Sequence, residues 1–508
     1  MTETDLNYIT IAAAADGIRA GQLSPVELTE HLLARIESLD PQLNGFRLVC
    51  RDRALEDARA AETALRAGQD LGPLQGIPYA AKDIFNVRGL PTTAGCSLLA
   101  SNIPEEDAYV VQRLAQGGMI LMGKTNTVQF AYGGVGINHD HGTPHNPWRP
   151  EHYIPGGSSS GSAVAVAAGL VPMALGSDTG GSVRIPASLC GVTGLKTTVG
   201  RISRTGIYPL SWTLDSVGPL TRSVEDAALV YQCLQERDYG DVTTWGMPTC
   251  DVLKGLKDGV RGLRLAFHES VFWENVHPEV EKAVQACGPV FEDLGAHVQS
   301  VQLPEVTEAR EIASAGLIIA AEAYNINRKW LKTHFNQIDP VVAFRLVKGK
   351  EIKASDYLQS IQACQRLQAK MNHSLRDVDA LLVPATVIPA LPVVEVDADM
   401  EMYRQWNMAY LQNTSVGNIL KLCGLSVPCG LTREGLPIGL MIYGKSFHED
   451  MVLRVGYAYQ QATSWHKRLP DLAWAGLADG PSSNPTRPSP SPVGDGEPQP
   501  GPEREPTG

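Results

Sequence analysis

The chain has 508 residues, 43% of them hydrophobic and 19% charged, with a formal net charge of −12. At roughly 150 residues per domain this is enough for about three domains, or for one large α/β body, so core size sets no limit on function. The acidic balance argues against unaided binding to nucleic acid or anionic membranes and favours small, uncharged partners.

The N-terminus, Met1-Thr2-Glu3-Thr4-Asp5, lacks the basic-then-apolar order of a signal peptide. The nine cysteines are scattered and form no CxxC or Cys/His pair with metal spacing, which predicts a reducing compartment and cytoplasmic residence. The longest apolar run, Ala163 to Leu175, is interrupted by Gly169 and Pro172 and is too short for a membrane span of about 20 residues.

In chain order, residues 24–40 read as a helix capped by Ser24, with Pro25 in its first turn, Glu27 at capping-box spacing and an end at Pro41. A second helix is predicted from Arg51 to Ala67, stopping at Gly68. From Leu74 to Gly240, glycine-punctuated turns alternate with short apolar segments such as Met119–Met122 and helix formers such as Ser162–Ala168, the pattern of an α/β core. Residues 241–262 read as a surface connection, Leu263–Phe267 as a strand and 278–293 as a helix. A long helical stretch over about 305–375 leads to Ala380–Pro384, whose continuous apolar character is that of a buried strand. Residues 415–445 read as strands and turns, and Asp450–Ala462 as the last helix. Beyond about residue 476, proline, serine, glycine and charge dominate, with no large hydrophobe past Val493, the composition of a disordered tail.

Two glycine-serine stretches carry the chemistry: Gly156-Gly157-Ser158-Ser159-Ser160-Gly161-Ser162 and Gly176-Ser177-Asp178-Thr179-Gly180-Gly181-Ser182. Glycine lets backbone N–H groups converge on a substrate, and serine supplies a hydroxyl that a base can activate. Upstream, Lys82 stands in the small, apolar run Gly76 to Ala81. Gly157 to Gly161 also fits the G-x-S-x-G elbow with Ser159 as nucleophile, but Pro155 opposes the strand that an elbow requires. A phosphate-binding loop needs lysine where Ser162 stands. A plain helix-capping turn would account for the first stretch alone.

The combination of Lys82, the first loop, and Asp178 through Ser188 resembles the amidase signature family. The likeness runs from about Ile9 to Pro470 and includes Gly191–Lys196, Leu214–Leu220 and Gly435–Gly439. The resemblance implies a Ser-cisSer-Lys triad in which Ser182 is the nucleophile, Ser158 follows a cis peptide bond and Lys82 is the base. It places the oxyanion hole at Thr179, Gly180 and Gly181, the substrate near Ala131 and Tyr132 and the turn Ile207-Tyr208 with Trp212, and a supporting network at Ser159, Asp178 and Arg184. An exposed Asp178–Arg184 ion pair would leave the same sequence pattern. The implied fold is α/β, a mixed central β-sheet covered by helices on both faces. Residues 1–475 then form the amidase signature domain, with a helical region at 1–70, core motifs at 71–240 and a substrate-side helical segment at 300–375, and 476–508 form the tail.

Lys82 must be neutral to act as a base, and burial favours that form. A carboxylate from Asp83 facing the amine would oppose it, so Asp83 is expected to point elsewhere. His139-Asp140-His141 reads as a polar loop; no metal and no cofactor is expected. The expected activity is hydrolysis of a carboxylic amide, with esters and carbamates also open to the acyl-enzyme route. The alternative is the glutaminase component, the A subunit, of a tRNA-dependent amidotransferase. The resemblance implies that such glutaminases bind the glutamine ammonium with an acidic residue shortly before a Thr-x-x-x-Asn motif. Here Thr414-Ser415-Val416-Gly417-Asn418 follows Leu411-Gln412-Asn413, without a carboxylate, while Arg345 remains available for the glutamine carboxylate. The partner expected is a small-molecule amide, with no nucleic acid and no membrane, and a homodimer left open.

Overall fold

The computed structural model describes residues 6–269 and 271–476; the expected tail, from residue 477 on, lies outside the described residues. No helix among them is long and apolar enough to cross a membrane. The framework is an 11-stranded mixed sheet with helices on both sides. Its strands are β1 (Phe46–Val49), β2 (Pro78–Lys82), β3 (Ile120–Thr125), β4 (Met173–Asp178), β5 (Thr193–Lys196) and β6 (Ser216–Thr221). They continue with β7 (Arg264–His268), β8 (His297–Val301), β9 (Ala380–Pro384), β10 (Cys423–Leu431) and β11 (Pro437–Gly444), in the spatial order β1-β3-β2-β4-β6-β5-β10-β11-β9-β7-β8.

Two parallel blocks, β3-β2-β4 and β9-β7-β8, are joined through antiparallel pairings of β6, β5, β10 and β11. β2 and β4 are buried along their whole length, which is why both read as uninterrupted small or apolar segments rather than alternating ones. Because they are parallel neighbours, their carboxyl ends emerge at the same edge. That register brings Lys82, last in β2, beside Ser177 and Asp178, last in β4.

The first helix of the expected series spans Pro25–Leu43, with Ser24 Oγ accepting from the Val26 and Glu27 N–H groups at 3.0 and 3.3 Å. It runs through Pro41 instead of stopping there. A proline one turn from the end removes a single hydrogen bond, while the helix buries Leu43 and closes on Asn44 in the left-handed region, whose N–H donates to the Asp40 carbonyl at 2.7 Å. The stretch expected as one helical run over 305–375 is four helices, Pro304–Ala315, Leu317–Thr333, Pro340–Lys348 and Ala354–Ser374. Gly316, at φ +64°, turns the chain after the first, and Asp339-Pro340 and Gly349 punctuate the rest. Residues 278–293 divide at Ala286 into Pro278–Gln285 and Cys287–Asp293, and a short helix, Thr414–Ile419, precedes β10.

Candidate active site

Lys82 is completely buried. Its Nζ lies 2.8 Å from Ser158 Oγ and 2.9 Å from Ser177 Oγ. Burial pushes its amine down to about 7, against the opposing pull of the Asp215 and Asp178 charges. Asp83 turns away from this amine. Its Oδ1 is 2.8 Å from Lys124 Nζ, an ion pair by distance with poor hydrogen-bond angles, and its other oxygen accepts from the Thr93 backbone N–H at 3.3 Å and from the Thr93 hydroxyl. The buried Lys124 thus engages the carboxylate that would otherwise hold Lys82 protonated.

The peptide bond between Gly157 and Ser158 is cis. A Cβ on Gly157 would stand 2.7 Å from the Gly136 nitrogen and 2.8 Å from its Cα, so only glycine fits. Thr127 Oγ1 donates to the Ser158 carbonyl at 2.8 Å. Ser159 joins the two loops: its N–H donates to the Ser182 carbonyl at 3.2 Å, and its hydroxyl exchanges 3.3 Å bonds with Ser177 N–H and C=O. The helix that follows begins at Ser160, and no side-chain bond from Ser159 caps it.

The second loop leaves β4 and enters the short helix Arg184–Cys190 with Ser182 just before it, 5% exposed. Among the described residues no acceptor is found for the backbone N–H groups of Thr179, Gly180, Gly181 or Ser182. Gly181 has φ +143°, and a Cβ there would lie 2.2 Å from Thr414 Oγ1. The loop is held from its side chains and carbonyls instead: Thr179 Oγ1 donates to Asp215 at 2.5 Å, and the Gly180 carbonyl accepts from Thr414 Oγ1 at 2.7 Å. No hydrogen bond joins Ser182 Oγ to Ser158 Oγ among the described residues.

Asp178 and Arg184 are both fully buried, so the pair is not a surface one. Arg184 Nε and Nη2 donate to the two Asp178 oxygens at 2.9 Å each, a bidentate fork. Nη1 donates to Tyr443 Oη and Nη2 to Asn418 Oδ1, both at 2.7 Å, while Asn418 Nδ2 returns a 2.9 Å bond to Asp178. Burial works against the Asp178 charge, but Arg184, Lys196 and Asn418 outweigh it and hold the carboxyl at about 2.

Ala131 lines a cavity of about 390 Å³ with Ser177 and Thr179. Tyr132 lines another, of about 240 Å³, with Gly180, Arg345, Leu411 and Ser415. Phe130 and Ala131 sit at φ +52° and +57°, left-handed conformations costing roughly 1–2 kcal/mol each, which aim this turn at the second glycine-serine loop. His139 makes its hydrogen bonds outside the two loops. It bridges Asp339 at 2.5 Å and Asp397 at 2.8 Å, and those two bonds raise its imidazole to about 10.

Sequence reasoning misses Ser177, Asp215, Thr414, Asn418 and Tyr443 as site residues. Four of them are within its reach: Ser177 and Asp215 fall inside stretches that carry the resemblance, and Thr414 and Asn418 define the Thr-x-x-x-Asn motif. Tyr443, in a plain apolar strand, gives no sequence signal.

Comparison with known proteins gives the family of the chain. The family described as Amidase matches residues 27–453. The A subunit of the glutamyl-tRNA(Gln) amidotransferase of Chloroflexus aggregans is 37% identical over 494 residues, covering 93% of this chain and all of the relative. Among solved structures, the inhibitor-bound chain from a complex described as revealing the origins of an s-triazine catabolic enzyme superposes with TM-score 0.83 at 32% identity, covering 89% of this chain and 98% of that one. A peptide amidase bound to the competitive inhibitor chymostatin superposes with TM-score 0.80 at 30% identity, covering 91% and 99%.

The tRNA-dependent relative overturns the expectation of a small-molecule partner with no nucleic acid. That expectation rested on the net charge of −12, which governs long-range attraction by the isolated chain and says nothing about an assembly in which another protein supplies the nucleic-acid surface. A match over most of its length, and relatives above 30% identity along nearly the whole chain, place this protein in the amidase family to which its two glycine-serine loops pointed.

Proposed function

We propose that this protein cleaves a carboxylic amide through a serine acyl-enzyme, with Ser182 as nucleophile, Ser158 as proton relay, Lys82 as base and the N–H groups of Thr179 to Ser182 as oxyanion donors. The observation that carries this reading is the Lys82–Ser158 contact of 2.8 Å, made by an amine that burial holds near 7, beside a loop with unpaired N–H groups. Ser182 passes its proton to Ser158 as it attacks the carbonyl, and Ser158 passes its own to Lys82. Negative charge on the carbonyl oxygen develops against the loop N–H groups. Reverse flow protonates the departing nitrogen, and water then releases the acid by the same relay.

The relatives support the form of this reaction in which the amide is that of glutamine and the chain serves as the glutaminase component of a tRNA-dependent amidotransferase, handing ammonia to its partner. Arg345 suits the glutamine carboxylate: it stacks 3.8 Å from the Tyr132 ring centre and donates to the Tyr132 carbonyl at 2.6 Å.

A second reading, hydrolysis of an amide without an α-ammonium group, rests on the 240 Å³ cavity, whose lining contains Arg310 and Arg345 and no carboxylate. Gln412 and Asn413 donate to backbone carbonyls of other segments, and Leu411 is apolar. An ammonium buried there would lack a partner.

Kinetics on glutamine and on a neutral amide, with and without amidotransferase partner proteins and tRNA, test both. Preference for glutamine that emerges in the complex supports the amidotransferase reading and removes the second. Turnover of neutral amides far above glutamine under every condition does the reverse.

A further inference from the structure

We propose that the cavity of about 390 Å³ on the Lys82 side of the oxyanion loop is a subsite for the amine half of an N-substituted amide, taking an uncharged apolar group, aryl or alkyl, on the leaving nitrogen. The inference rests on the serine amide-hydrolysis reading above and adds the class of amine.

Position assigns the cavity to the leaving group. It opens against Ser177 and Thr179, and Ser177 Oγ is 2.9 Å from the same Lys82 Nζ that lies 2.8 Å from Ser158 Oγ. The departing nitrogen receives its proton from Ser158, so it faces that side and its substituent extends into this cavity. The acyl part is left the cavity that begins at Gly180 and Tyr132.

The cavity is far larger than ammonia requires, since a molecule of that size fills about 30 Å³, the share of one water, and it leaves room for a substituent on the nitrogen. The walls are apolar: Ile84, Ile207, Tyr208, Trp212 and Val242. The polar groups among them are already engaged. Arg204 donates to Asp241 at 3.3 Å, to the Trp212 carbonyl at 2.6 Å and to Thr243 Oγ1 at 3.3 Å. Asp241 also accepts from the Arg204 and Thr243 N–H groups, and Asp215 accepts from Thr179, Leu210 and Ser211. Tyr208 Oη donates to Asn327 at 2.8 Å. Arg204 is spent on Asp241, so no cation is left over to pair with an anionic substituent, and one placed there would lose hydration without compensation.

At the mouth, Trp212 and Val242 are 58% and 67% exposed. The turn carrying Trp212 is nevertheless pinned: buried Glu322 accepts from the Ser211 hydroxyl, from Thr213 N–H at 3.1 Å and from Thr213 Oγ1 at 2.5 Å. A held, exposed indole is a ready platform for an apolar group. The chemistry balances with water as co-reactant. The Ser182 oxygen bonds to the carbonyl carbon, the resulting oxyanion collapses as the C–N bond breaks and nitrogen takes the proton relayed through Ser158 and Lys82, and the amine leaves. Water then adds OH to the acyl carbon as the Ser182 O–C bond breaks, its proton restoring the Ser182 hydroxyl.

The test uses the full chain and amides of one acid: the primary amide, the N-butyl amide, the anilide and the 4-carboxyanilide. The anilide is expected to exceed its carboxylated analogue at least tenfold in kcat/KM. Trp212→Ala and Val242→Asp, at exposed positions that tolerate change, should each lower the ratio of anilide to primary-amide kcat/KM about tenfold, mainly through KM. Turnover of the primary amide alone, or variants that leave the ratio unmoved, overturns the subsite while sparing the amidase reading. Turnover of none of the series, with Ser182 unreactive to a sulfonyl fluoride, sinks the amidase reading and the subsite with it.

Discussion

At the residue scale the decisive group in the proposed mechanism is Lys82, which acts as a base when uncharged. Its amine, held at about 7 by burial, is protonated and idle below that pH and free to accept a proton above it. Activity is therefore expected to rise about tenfold per pH unit below 7 and to level off above it, measured as kcat/KM across pH 5–9 on a fixed amide. Lys82→Met should lower turnover by at least about 10³-fold, consistent with loss of general base catalysis together with the relay it drives; near-native turnover would remove Lys82 from the mechanism. A sulfonyl or phosphonyl fluoride should label Ser182, located by peptide mass spectrometry. Label on Ser159 would instead favour the elbow arrangement, although in the folded chain Ser159 is spent on Ser177 and on the Ser182 carbonyl.

At the scale of elements, the two glycine-serine loops are positioned by two parallel strands and by a buried ionic knot. β2 and β4 end at one edge, and Asp178, Arg184, Asn418 and Tyr443 tie the end of β4 to the helix Thr414–Ile419 and to β11. Replacing one partner of a buried pair leaves the other charge uncompensated, at a cost of about 3–5 kcal/mol. Arg184→Met is expected to lose that much in urea unfolding and to abolish turnover; an unchanged midpoint would show the knot to be dispensable. Gly181→Ala should lower both the urea-unfolding midpoint and turnover, because the new Cβ meets Thr414 Oγ1 at 2.2 Å in a backbone conformation alanine avoids. Turnover close to wild type would show that the loop does not need this conformation.

At the scale of the whole molecule, acid stability follows from the same knot. Asp178 has its carboxyl depressed to about 2 in the folded state, against an ordinary value near 3.9. A depressed carboxyl stabilises fully above its unfolded pKa, and that contribution is lost as pH falls through the folded value. Asn418→Ala, which removes one of the bonds favouring the charged form, should therefore move the acid-unfolding midpoint to higher pH, followed by circular dichroism. Deletion of residues 481–508, whose composition lacks the hydrophobes that offset ordering entropy, is expected to leave Tm and kcat/KM as they were; a drop of several degrees would contradict that reading of the composition.

Local chemistry was legible from the chain alone. The two glycine-serine loops and the lysine at the end of an apolar strand stood out by residue type, the roles proposed for Ser158, Ser182 and Lys82 came from the family resemblance those motifs carry, and capped or apolar segments such as Pro25–Leu43 and Ala380–Pro384 follow from propensity and periodicity. Contacts across the sheet were not legible. Nothing along the sequence shows that Lys124 draws Asp83 off Lys82, that Asn418 and Tyr443 close the circuit around Asp178, or that Ser177 stands beside the base. These partners lie far apart in the chain and meet only through strand order and register. Periodicity is a property of neighbours a few residues apart, whereas the state of a buried charge depends on every group packed around it. The residue types that can do the chemistry were thus determined by the sequence, and the tertiary structure decided which buried charges meet and in which protonation state.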